Sequence, residues 1–406
     1  MSDKHVVIVG AGHAGGRAAE ALRAAGHTGR VTLVGTEKHP PYERPPLSKE
    51  LLSGAIEYAK TYLNSEAFYT EKDITLRLGT TVGAIDRKNQ RIELGDCGTI
   101  PYDALLLTTG ARARRLPLPG GDGKRVFYLR DIDDSLALRE RLTEGTRLAV
   151  IGAGFIGLEV AATARKRGAQ VTVLELAPHP LARVAAPEIG QYLATLHRAK
   201  GVDLQTGVKV TAIEDTGSEL RILLDGGSPV IADYAAIGIG AQPNVELAHA
   251  AGIEIRDGVI VDEFGRSSDP AVFAAGDVTR HLNPLLGRHV RLEAWQNAQN
   301  QGIAVAKIIA GGEQAFSEVP WFWTDQYETN LQMAGAPDTW DRVIFRGEPT
   351  DPGFTLFQLL DGKVVAAVTV NNARDMRFGR MLIQKGKIVD PALLSDKSTK
   401  LQDLVR

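Results

Sequence analysis

The first apolar run of the chain predicts a buried strand followed by a tight turn and a helix. Residues 6–9 are consecutive apolar side chains, mostly valine, as in a strand covered on both faces. The run continues into Gly10-Ala-Gly12-His-Ala-Gly15, and an alanine-rich segment of helical composition follows. In this motif the first glycine permits the turn, the second lets the backbone approach a pyrophosphate, and the third lets helix and strand pack closely. The pattern therefore predicts a dinucleotide-binding unit at the start of the chain.

The same order of apolar run, glycines and helix returns near the middle of the chain. Residues 148–151 form the second run, and Gly152, Gly154 and Gly157 follow it, with a helix expected to continue to Arg167. Two intact units predict two bound dinucleotides, and the economical interpretation is FAD on the first and a nicotinamide dinucleotide on the second. Electrons would then pass between the two cofactors. A scaffold with two vestigial units is the non-catalytic alternative, which the intact glycines disfavour.

The second strand of the first unit leaves its ribose ligand open. Residues 31–34 form this strand, at the place expected in a βαβ unit, but Gly35 follows where an acidic residue usually accepts from an adenosine ribose. Glu37 comes two residues later. Either Glu37 or the backbone of Gly35 and Thr36 is therefore expected to hold the ribose.

In the second unit the acidic residue is in place. Residues 171–174 form the strand, and Glu175 follows at once, about 20 residues after the glycine turn. A carboxylate there accepts from a ribose 2′-hydroxyl and repels a 2′-phosphate, so the sequence favours NADH. His179 and Arg183 keep NADPH as an alternative, because an arginine is what usually accommodates the 2′-phosphate.

The remaining pattern divides the chain further. Residues 74–110 alternate short apolar strands with polar turns, and the glycine- and proline-rich segment 116–123 reads as a domain boundary. A surface helix is expected over residues 131–142. Two later apolar strands are each followed by a glycine, the first by Gly240 and the second by Gly276-Asp277.

The loop at residues 42–50 is stiffened by two prolines. Ser48 is expected to cap a helix that begins near Lys49. From composition alone, Lys49 is more simply a solvated side chain.

Composition fits an ordinary globular protein of roughly two to three domains. Hydrophobic residues make up 44% and charged residues 24% of the 406 positions, which argues against disorder. A net charge of −2 gives no reason to expect nucleic acid or an anionic membrane as partner. Any charged partner must therefore meet a local patch.

The single cysteine, Cys97, excludes an intramolecular disulfide, a paired-cysteine redox site and a cysteine-rich metal site. No metal centre is expected. Neither a signal peptide nor an apolar run of roughly 20 residues stands out, so a cytoplasmic protein without a membrane span is expected.

The motifs together resemble a known family. The two glycine units, Thr-Thr-Gly at 108–110 and Ala-Gly-Asp at 275–277 resemble the flavoprotein pyridine nucleotide oxidoreductases of the glutathione reductase fold. More narrowly, R-P-P-L-S-K at 44–49, R-L-E-A-W-Q-N-A at 291–298 and W-F-W-T-D-Q-Y at 321–327 resemble the FAD-dependent ferredoxin reductases that serve bacterial oxygenases. The resemblance covers essentially the whole chain.

This resemblance implies an α/β protein with two Rossmann-like domains and a C-terminal α+β domain. The FAD-binding domain would be split, with residues 1–112 completed by residues 245–320. Residues 113–244 would bind NADH, and residues 321–406 would form a separate domain against the flavin.

The resemblance also implies roles for particular residues. Lys49 would lie near flavin N5, where a cation favours the reduced form, with Glu159 as its ion-pair partner. Asp277 would hold ribityl hydroxyls, and the helix beginning near Trp295 would direct its amides at the N1/C2=O edge of the flavin. Arg130 matches a position at the flavin–domain junction, and Ala14, Val82 and Trp295 match backbone or packing contacts to FAD.

Motifs and resemblance together assign cofactor binding to a larger set of positions. They are Gly10, Gly12, Ala14, Gly15, Thr36, Glu37, Arg44, Lys49, Val82, Thr109, Gly110, Arg130, Gly152, Gly154, Phe155, Ile156, Gly157, Glu175, Arg183, Gly240, Gly276, Asp277, Glu293, Ala294, Trp295 and Trp323.

One departure from related flavoproteins bears on the acceptor. Disulfide reductases of this fold carry redox cysteines after the first unit, whereas residues 40–50 contain none. The flavin would therefore pass electrons directly to a [2Fe-2S] ferredoxin. The protein itself is expected to be a monomer or a homodimer. Trp323 would lie between flavin and ferredoxin, and for Trp321 packing in the core of the C-terminal domain is the alternative. A rubredoxin reductase and an NADH-sensing flavoprotein with a non-catalytic role are the alternatives.

Overall fold

The first glycine motif follows the carboxyl end of the central strand of a five-stranded parallel sheet. Its central strand, Val6–Val9, is entirely buried and pairs on one side with Val31–Val34 and on the other with Ala104–Leu107. The outer strands are Ile74–Arg77 and Val272–Ala274. This is the strand order of a Rossmann half, in which a ligand binds at the carboxyl ends of the strands. The computed structural model describes residues 3–95 and 98–406, so Cys97 lies outside the described residues.

This sheet belongs to the first of two compact units, which comprises the described residues up to 44 together with 59–112 and 242–322. Its two long helices pack along each other, and their apolar faces share a core with the sheet through residues such as Ala18, Leu22 and Val305. The helices of this unit are His13–Ala24, the 3₁₀ turn Tyr58–Thr61, Glu66–Glu71, Glu246–Ala250 and Trp295–Ile309. Its further strands are Val82–Asp86, Arg91–Leu94, Thr99–Pro101, Val259–Val261, Thr279–Asn283 and Arg288–Val290, with Ala111–Ala113 and Ala241–Pro243 at the unit boundary.

The second glycine motif lies on a matching sheet in the second unit, which comprises residues 45–58, 113–241 and 323–406. The strand Arg147–Ile151 pairs in parallel with Gln170–Glu175 and with Tyr234–Ile237. The outer strands of this sheet are Asp203–Thr206 and Val126–Tyr128. An antiparallel sheet of Val210–Asp215, Leu220–Leu224 and Val230–Ala232 accompanies it.

The C-terminal segment adds an antiparallel sheet to the same unit. Its apolar residues share one core with the second Rossmann sheet, and the rings of Tyr192 and Phe354 meet at 5.2 Å. Residues 323–406 cluster with the second unit, and the predicted C-terminal domain at residues 321–406 stays a prediction. Its strands run in the order Trp321–Gln326, Thr329–Gly335, Lys363–Val370, Phe354–Leu360 and Arg342–Arg346. The helices of the second unit are the 3₁₀ turn Pro45–Ser48, Glu50–Ser53, Ile132–Arg141, Phe155–Lys166, Pro187–Ala199, Ala373–Lys385, Pro391–Ser395 and Leu401–Leu404.

The helix Ile132–Arg141 shows how closely local chemistry sets an element boundary. Asp131 accepts from the Asp134 backbone amide and Asp134 accepts in return, which forms a capping box at the predicted start.

Within the described ranges, no helix combines the length and apolar character needed to cross a membrane.

Candidate functional site

The first glycine turn packs tightly on one side and is open on the other. Gly10 has φ +116°, and a Cβ there would lie 2.2 Å from the carbonyl oxygen of Thr108. A Cβ on Gly15 would lie 2.0 Å from the carbonyl oxygen of Gly10. At Gly12 the nearest atom to an added Cβ would be Arg44 Nη2, at 3.7 Å. The middle glycine thus leaves room for a ligand that approaches the backbone, which fits the pyrophosphate of a dinucleotide.

The second turn repeats this geometry. Gly152 has φ +104°, and its added Cβ would lie 2.5 Å from the carbonyl oxygen of Gly238. Gly157 would place a Cβ 2.0 Å from the carbonyl oxygen of Gly152, whereas the nearest atom at Gly154 is 3.5 Å away. Both turns therefore fit a dinucleotide for the same steric reason.

Further predicted residues gather beside the first turn. Thr109 and Gly110 follow the strand Ala104–Leu107, and Gly276 and Asp277 follow its neighbour Val272–Ala274. A Cβ on Gly276 would lie 3.0 Å from the Cβ of Ala14, so these strand ends and the glycine turn meet at one edge of the sheet. This is the edge at which an open α/β sheet binds its ligand.

The predicted helix does begin at Trp295, and Ala294 is its N-cap with extended backbone. The Trp295 ring lies 5.3 Å from the ring of His13, a residue inside the first glycine motif to which the sequence assigned no role. Burial, and then Arg17, lower the pKa of His13 to about 4, so its ring is neutral at pH 7. Glu293 forms an ion pair with Arg291 ahead of the helix, and Val82 begins the strand Val82–Asp86.

Glu37, one of the two candidates for the FAD ribose, belongs to a polar cluster. Arg44 Nη2 donates to Glu37 Oε1 at 2.7 Å, and the Tyr42 hydroxyl donates to Glu37 Oε2. Arg44 Nη1 also donates to the Tyr42 hydroxyl at 3.0 Å. A carboxylate has further lone pairs, so the cluster is compatible with Glu37 accepting from a ribose. The choice between Glu37 and Thr36 stays a prediction.

Glu175 is the last residue of its strand and is joined to the second glycine turn. Its Oε2 accepts from the Ala153 amide at 2.6 Å, and its Oε1 accepts from the Ala177 amide at 2.8 Å. These bonds fix the carboxylate beside the open middle glycine, where a ribose of a nicotinamide dinucleotide is predicted.

Five other predicted residues of the second unit lie around its turn and helices. A Cβ built on Gly240 would lie 3.1 Å from Arg183 Nη2. Phe155 and Ile156 open the helix Phe155–Lys166, and Ile156 is 45% exposed. The Arg130 amide donates to Asp134 Oδ2 at 2.9 Å.

The ion pair between Lys49 and Glu159 is present, as predicted. Lys49 Nζ lies 3.0 Å from Glu159 Oε1, and their side chains are 12% and 3% exposed. Lys49 Nζ also donates to the carbonyl oxygen of Pro45 at 3.1 Å. A carboxylate this buried is stable only when it is paired and hydrogen-bonded.

The predicted role of Ser48 as a helix cap is wrong. The N-cap of the helix Glu50–Ser53 is Lys49, without a side-chain hydrogen bond. The Ser48 hydroxyl instead donates to Glu159 Oε2. The bond from a hydroxyl to a buried carboxylate is charge-assisted, and it holds the Ser48 side chain at Glu159 and away from the helix amides that would donate to a cap.

The strand Trp321–Gln326 separates two kinds of side chain by its period of two. Thr324 and Gln326 are each 1% exposed, and Thr324 Oγ1 donates to Glu159 Oε1 at 2.7 Å. Trp323 alternates with them and is half-buried, and its indole Nε1 donates to Asp325 Oδ2 at 3.1 Å. Trp323 therefore lies on the opposite side of the strand from Glu159.

Sequence reasoning missed Thr324, which donates to Glu159, and Gln326, which donates to Thr324. Thr324 and Gln326 stand inside the motif at 321–327, where the period of two could have marked them as inward-facing. His197, which contacts Gln326, lies on a distant helix, and no local pattern connects it to the motif.

Similarity to known proteins covers nearly the whole chain. The family described as pyridine nucleotide-disulphide oxidoreductase matches residues 4–302, and a reductase C-terminal family matches residues 321–405. The chain is 44% identical over 403 residues to the anthranilate 1,2-dioxygenase system ferredoxin–NAD(+) reductase component of Burkholderia cepacia, with 99% of each chain covered. It is 39% identical over 410 residues to putidaredoxin reductase CamA of Pseudomonas putida, with 100% of this chain and 97% of that chain covered.

A solved structure agrees with the fold. The crystal structure of the covalent putidaredoxin reductase–putidaredoxin complex matches with a TM-score of 0.96 at 39% identity, over 100% of this chain and 99% of that chain. The predicted α/β fold and the resemblance to ferredoxin reductases are thereby confirmed. The chain belongs to the pyridine nucleotide-disulphide oxidoreductase family.

Proposed function

We propose that this protein passes electrons from NADH through FAD to a [2Fe-2S] ferredoxin that serves an oxygenase, either a haem monooxygenase or a Rieske dioxygenase. Members of the family use FAD and NAD(H), so the two predicted cofactors are confirmed. FAD supplies the chemistry, because it takes up two electrons as a hydride and releases them one at a time. Relatives named as ferredoxin reductases of oxygenase systems support the choice of acceptor.

The observation that carries the proposal is the pair of complete glycine turns without a cysteine near the first. In each turn the middle glycine is the least crowded of the three, with the nearest atom to an added Cβ at 3.7 Å for Gly12 and 3.5 Å for Gly154, which fits one dinucleotide per unit. Residues 40–50 contain no cysteine that could relay electrons as a thiol. Without a relay thiol in this segment, the flavin would pass its electrons directly to a one-electron acceptor.

The residues of the chain orient NADH and stabilise the reduced flavin. They do not exchange protons with the substrate. Glu175 holds the NADH ribose beside the second turn, and the positive charge of Lys49, paired with Glu159, favours the reduced flavin, as the family resemblance implies. Hydride transfer depends on the alignment of the two rings, so neither residue is needed as a general base. Trp323, half-buried and outside the Glu159 network, is suited to contact the ferredoxin.

We assign FAD binding to residues 1–112 and 245–320, NADH binding to residues 113–244, and a C-terminal domain to residues 321–406. The two compact units support the return of residues 242–322 to the first segment. We infer a cytoplasmic location, because NADH and reduced ferredoxin are supplied and used there. The protein would act as a monomer or homodimer.

A cofactor and acceptor assay tests the proposal. The purified protein should be yellow, and NADH should bleach its flavin under anaerobic conditions much faster than NADPH does. It should then reduce a [2Fe-2S] ferredoxin faster than a rubredoxin. A colourless protein that takes up no FAD would refute the proposal, and faster rubredoxin reduction would establish the alternative acceptor. Binding of NADH without turnover of either acceptor would indicate a sensing role.

A further inference from the structure

A continuous line of buried polar side chains joins Glu159 to His197. Thr324 Oγ1 lies 2.7 Å from Glu159 Oε1, and Gln326 Nε2 lies 3.1 Å from Thr324 Oγ1. His197 Nε2 lies 2.8 Å from Gln326 Oε1. All four side chains are at most 3% exposed, so water does not compete for these bonds. Buried polar groups in such a line must satisfy one another.

The carboxylate fixes the direction of every bond in this line. As the carboxylate partner of the Lys49 ammonium, Glu159 only accepts hydrogen bonds, so the Thr324 hydroxyl must donate to it. The Thr324 oxygen is then left as an acceptor, which requires the amide nitrogen of Gln326 to face it. The amide oxygen of Gln326 consequently faces His197 and accepts from it. The orientation of the Gln326 amide thus follows from the charge at the far end of the line.

The same argument fixes the tautomer of His197. Its Nε2 must carry a hydrogen to donate to Gln326, and burial lowers the pKa of the ring, which disfavours the imidazolium. The neutral ring therefore has a bare Nδ1. The Tyr327 hydroxyl, 3.3 Å from Nδ1, is placed to donate to it.

Tyr327 is held in its position by its own surroundings. It has φ +57°, in the left-handed region that tyrosine seldom adopts, and its carbonyl oxygen accepts from Lys166 Nζ at 3.2 Å. Lys200 Nζ lies 5.4 Å from the centre of the Tyr327 ring. A strained residue that persists in a fold is maintained by such contacts.

We infer that His197 is a positioning residue, which as the Nε2–H tautomer anchors a one-directional hydrogen-bond chain that turns the Thr324 hydroxyl onto Glu159. Four consecutive donations, from Tyr327, His197, Gln326 and Thr324, all point toward the carboxylate. They satisfy the Glu159 carboxylate and, through it, hold the position of the Lys49 ammonium. The tautomer follows from the geometry alone, whereas an effect on the flavin also rests on the proposed function.

The first test is independent of the cofactor chemistry. In ¹⁵N-histidine-labelled protein, the His197 resonances, assigned by their loss in His197→Gln, should show a protonated Nε2 and an unprotonated Nδ1 at pH 7. Thr324→Val removes the hydroxyl that orients Gln326, so the amide can turn over and His197 should become a mixture of both tautomers. Thr324→Ser keeps the hydroxyl and should retain the single tautomer.

The second test measures whether the chain acts on the flavin. The reduction potential of bound FAD, determined by anaerobic equilibration with a reference dye, should shift in His197→Phe and Thr324→Val in the direction seen for Lys49→Met, and by less. His197→Gln, whose amide can replace the Nε2–H donor, and Thr324→Ser should keep the wild-type potential.

The outcomes separate this inference from the proposed function. An Nδ1–H tautomer or an imidazolium at His197 in the wild-type protein would overturn the chain, whatever the protein reduces. A stable Nε2–H tautomer with unchanged potential in both disruptive variants would show that His197 only supports packing, and would overturn the positioning role. Absence of ferredoxin reduction, with the tautomer behaviour as described, would count against the function alone. If His197→Phe fails to fold, the two Thr324 variants decide the matter.

Discussion

The ammonium group of Lys49 lies 3.0 Å from Glu159 Oε1, and both side chains are almost completely buried. The pair joins the loop at residues 42–50 to the helix Phe155–Lys166, which follows the second glycine turn, and Ser48 and Thr324 complete the hydrogen bonding of the carboxylate. Residues far apart in the sequence thus meet at one buried charge.

Removing one partner of this pair should cost stability. Lys49→Met leaves an uncompensated buried carboxylate and should lower the free energy of unfolding by about 3 kcal/mol. The double variant Lys49→Met/Glu159→Gln has no buried charge and should recover part of that loss. Urea denaturation of the FAD-loaded proteins measures this. Equal stabilities for Lys49→Met and wild type would mean that the pair is solvated.

The nucleotide preference should depend on Glu175. Glu175→Ala removes a charged acceptor for the ribose, a contact of about 1.5–3 kcal/mol, and should raise the KM for NADH roughly ten- to hundredfold. Discrimination against NADPH should relax, and FAD content should stay unchanged. Steady-state kinetics with both nucleotides check the prediction.

The matched control is Glu175→Gln, which keeps an acceptor oxygen for the Ala153 or Ala177 amide and separates loop support from charge. If neither variant alters the preference between nucleotides, Glu175 is not the ribose ligand.

Acid should destabilise the fold through buried neutral histidines. Burial, and then His289, lower the pKa of His281 to about 4, and among the described residues neither of its ring nitrogens has a hydrogen-bond partner. As the pH falls below 6.5, the unfolded chain takes up the proton before the folded chain, so the free energy of unfolding declines between pH 6.5 and 4. At pH 5 this single residue should account for about 2 kcal/mol of lost stability.

The control for this prediction is an exposed histidine of the same unit. His281→Leu should flatten the pH dependence of urea denaturation between pH 7 and 5, whereas His249→Gln should leave the slope as it is. Identical slopes for His281→Leu and the wild type would show that His281 titrates normally.

The two Rossmann sheets could be predicted from the sequence because their signals are local. Residues 6–15 and 148–157 each contain a buried strand, the turn glycines and a helix start within one short segment. The Lys49–Glu159 ion pair was implied by the family resemblance and not by a local pattern, and it is present in the structure.

What the sequence did not predict depends on contacts between distant segments. Ser48 reads locally as a helix cap, but a carboxylate on another element takes its hydroxyl. His197 and Gln326 are brought together only by the packing of the C-terminal sheet in the second unit. The clustering of residues 323–406 with residues 113–241 also has no local signature in the chain.

Trp323 should affect the exit of electrons and not their entry. Trp323→Ala should leave the reduction of ferricyanide by NADH close to wild type, because the glycine turns and Glu175, which are predicted to hold FAD and NADH for hydride transfer, stay intact. Its rate of [2Fe-2S] ferredoxin reduction should fall, and stopped-flow measurement of both half-reactions compares the two. Equal losses in both would mean that Trp323 only supports the fold.

The transfer from reduced protein to ferredoxin tests the central claim most directly. The protein, reduced anaerobically with NADH, is mixed in a stopped-flow instrument with an oxidised acidic [2Fe-2S] ferredoxin at several salt concentrations. The account predicts rapid reduction of two ferredoxins per NADH. Reduction should slow as the salt concentration rises, because basic side chains near Trp323 are expected to steer an acidic ferredoxin. Flavin that NADH reduces but that does not reduce the ferredoxin would contradict the account.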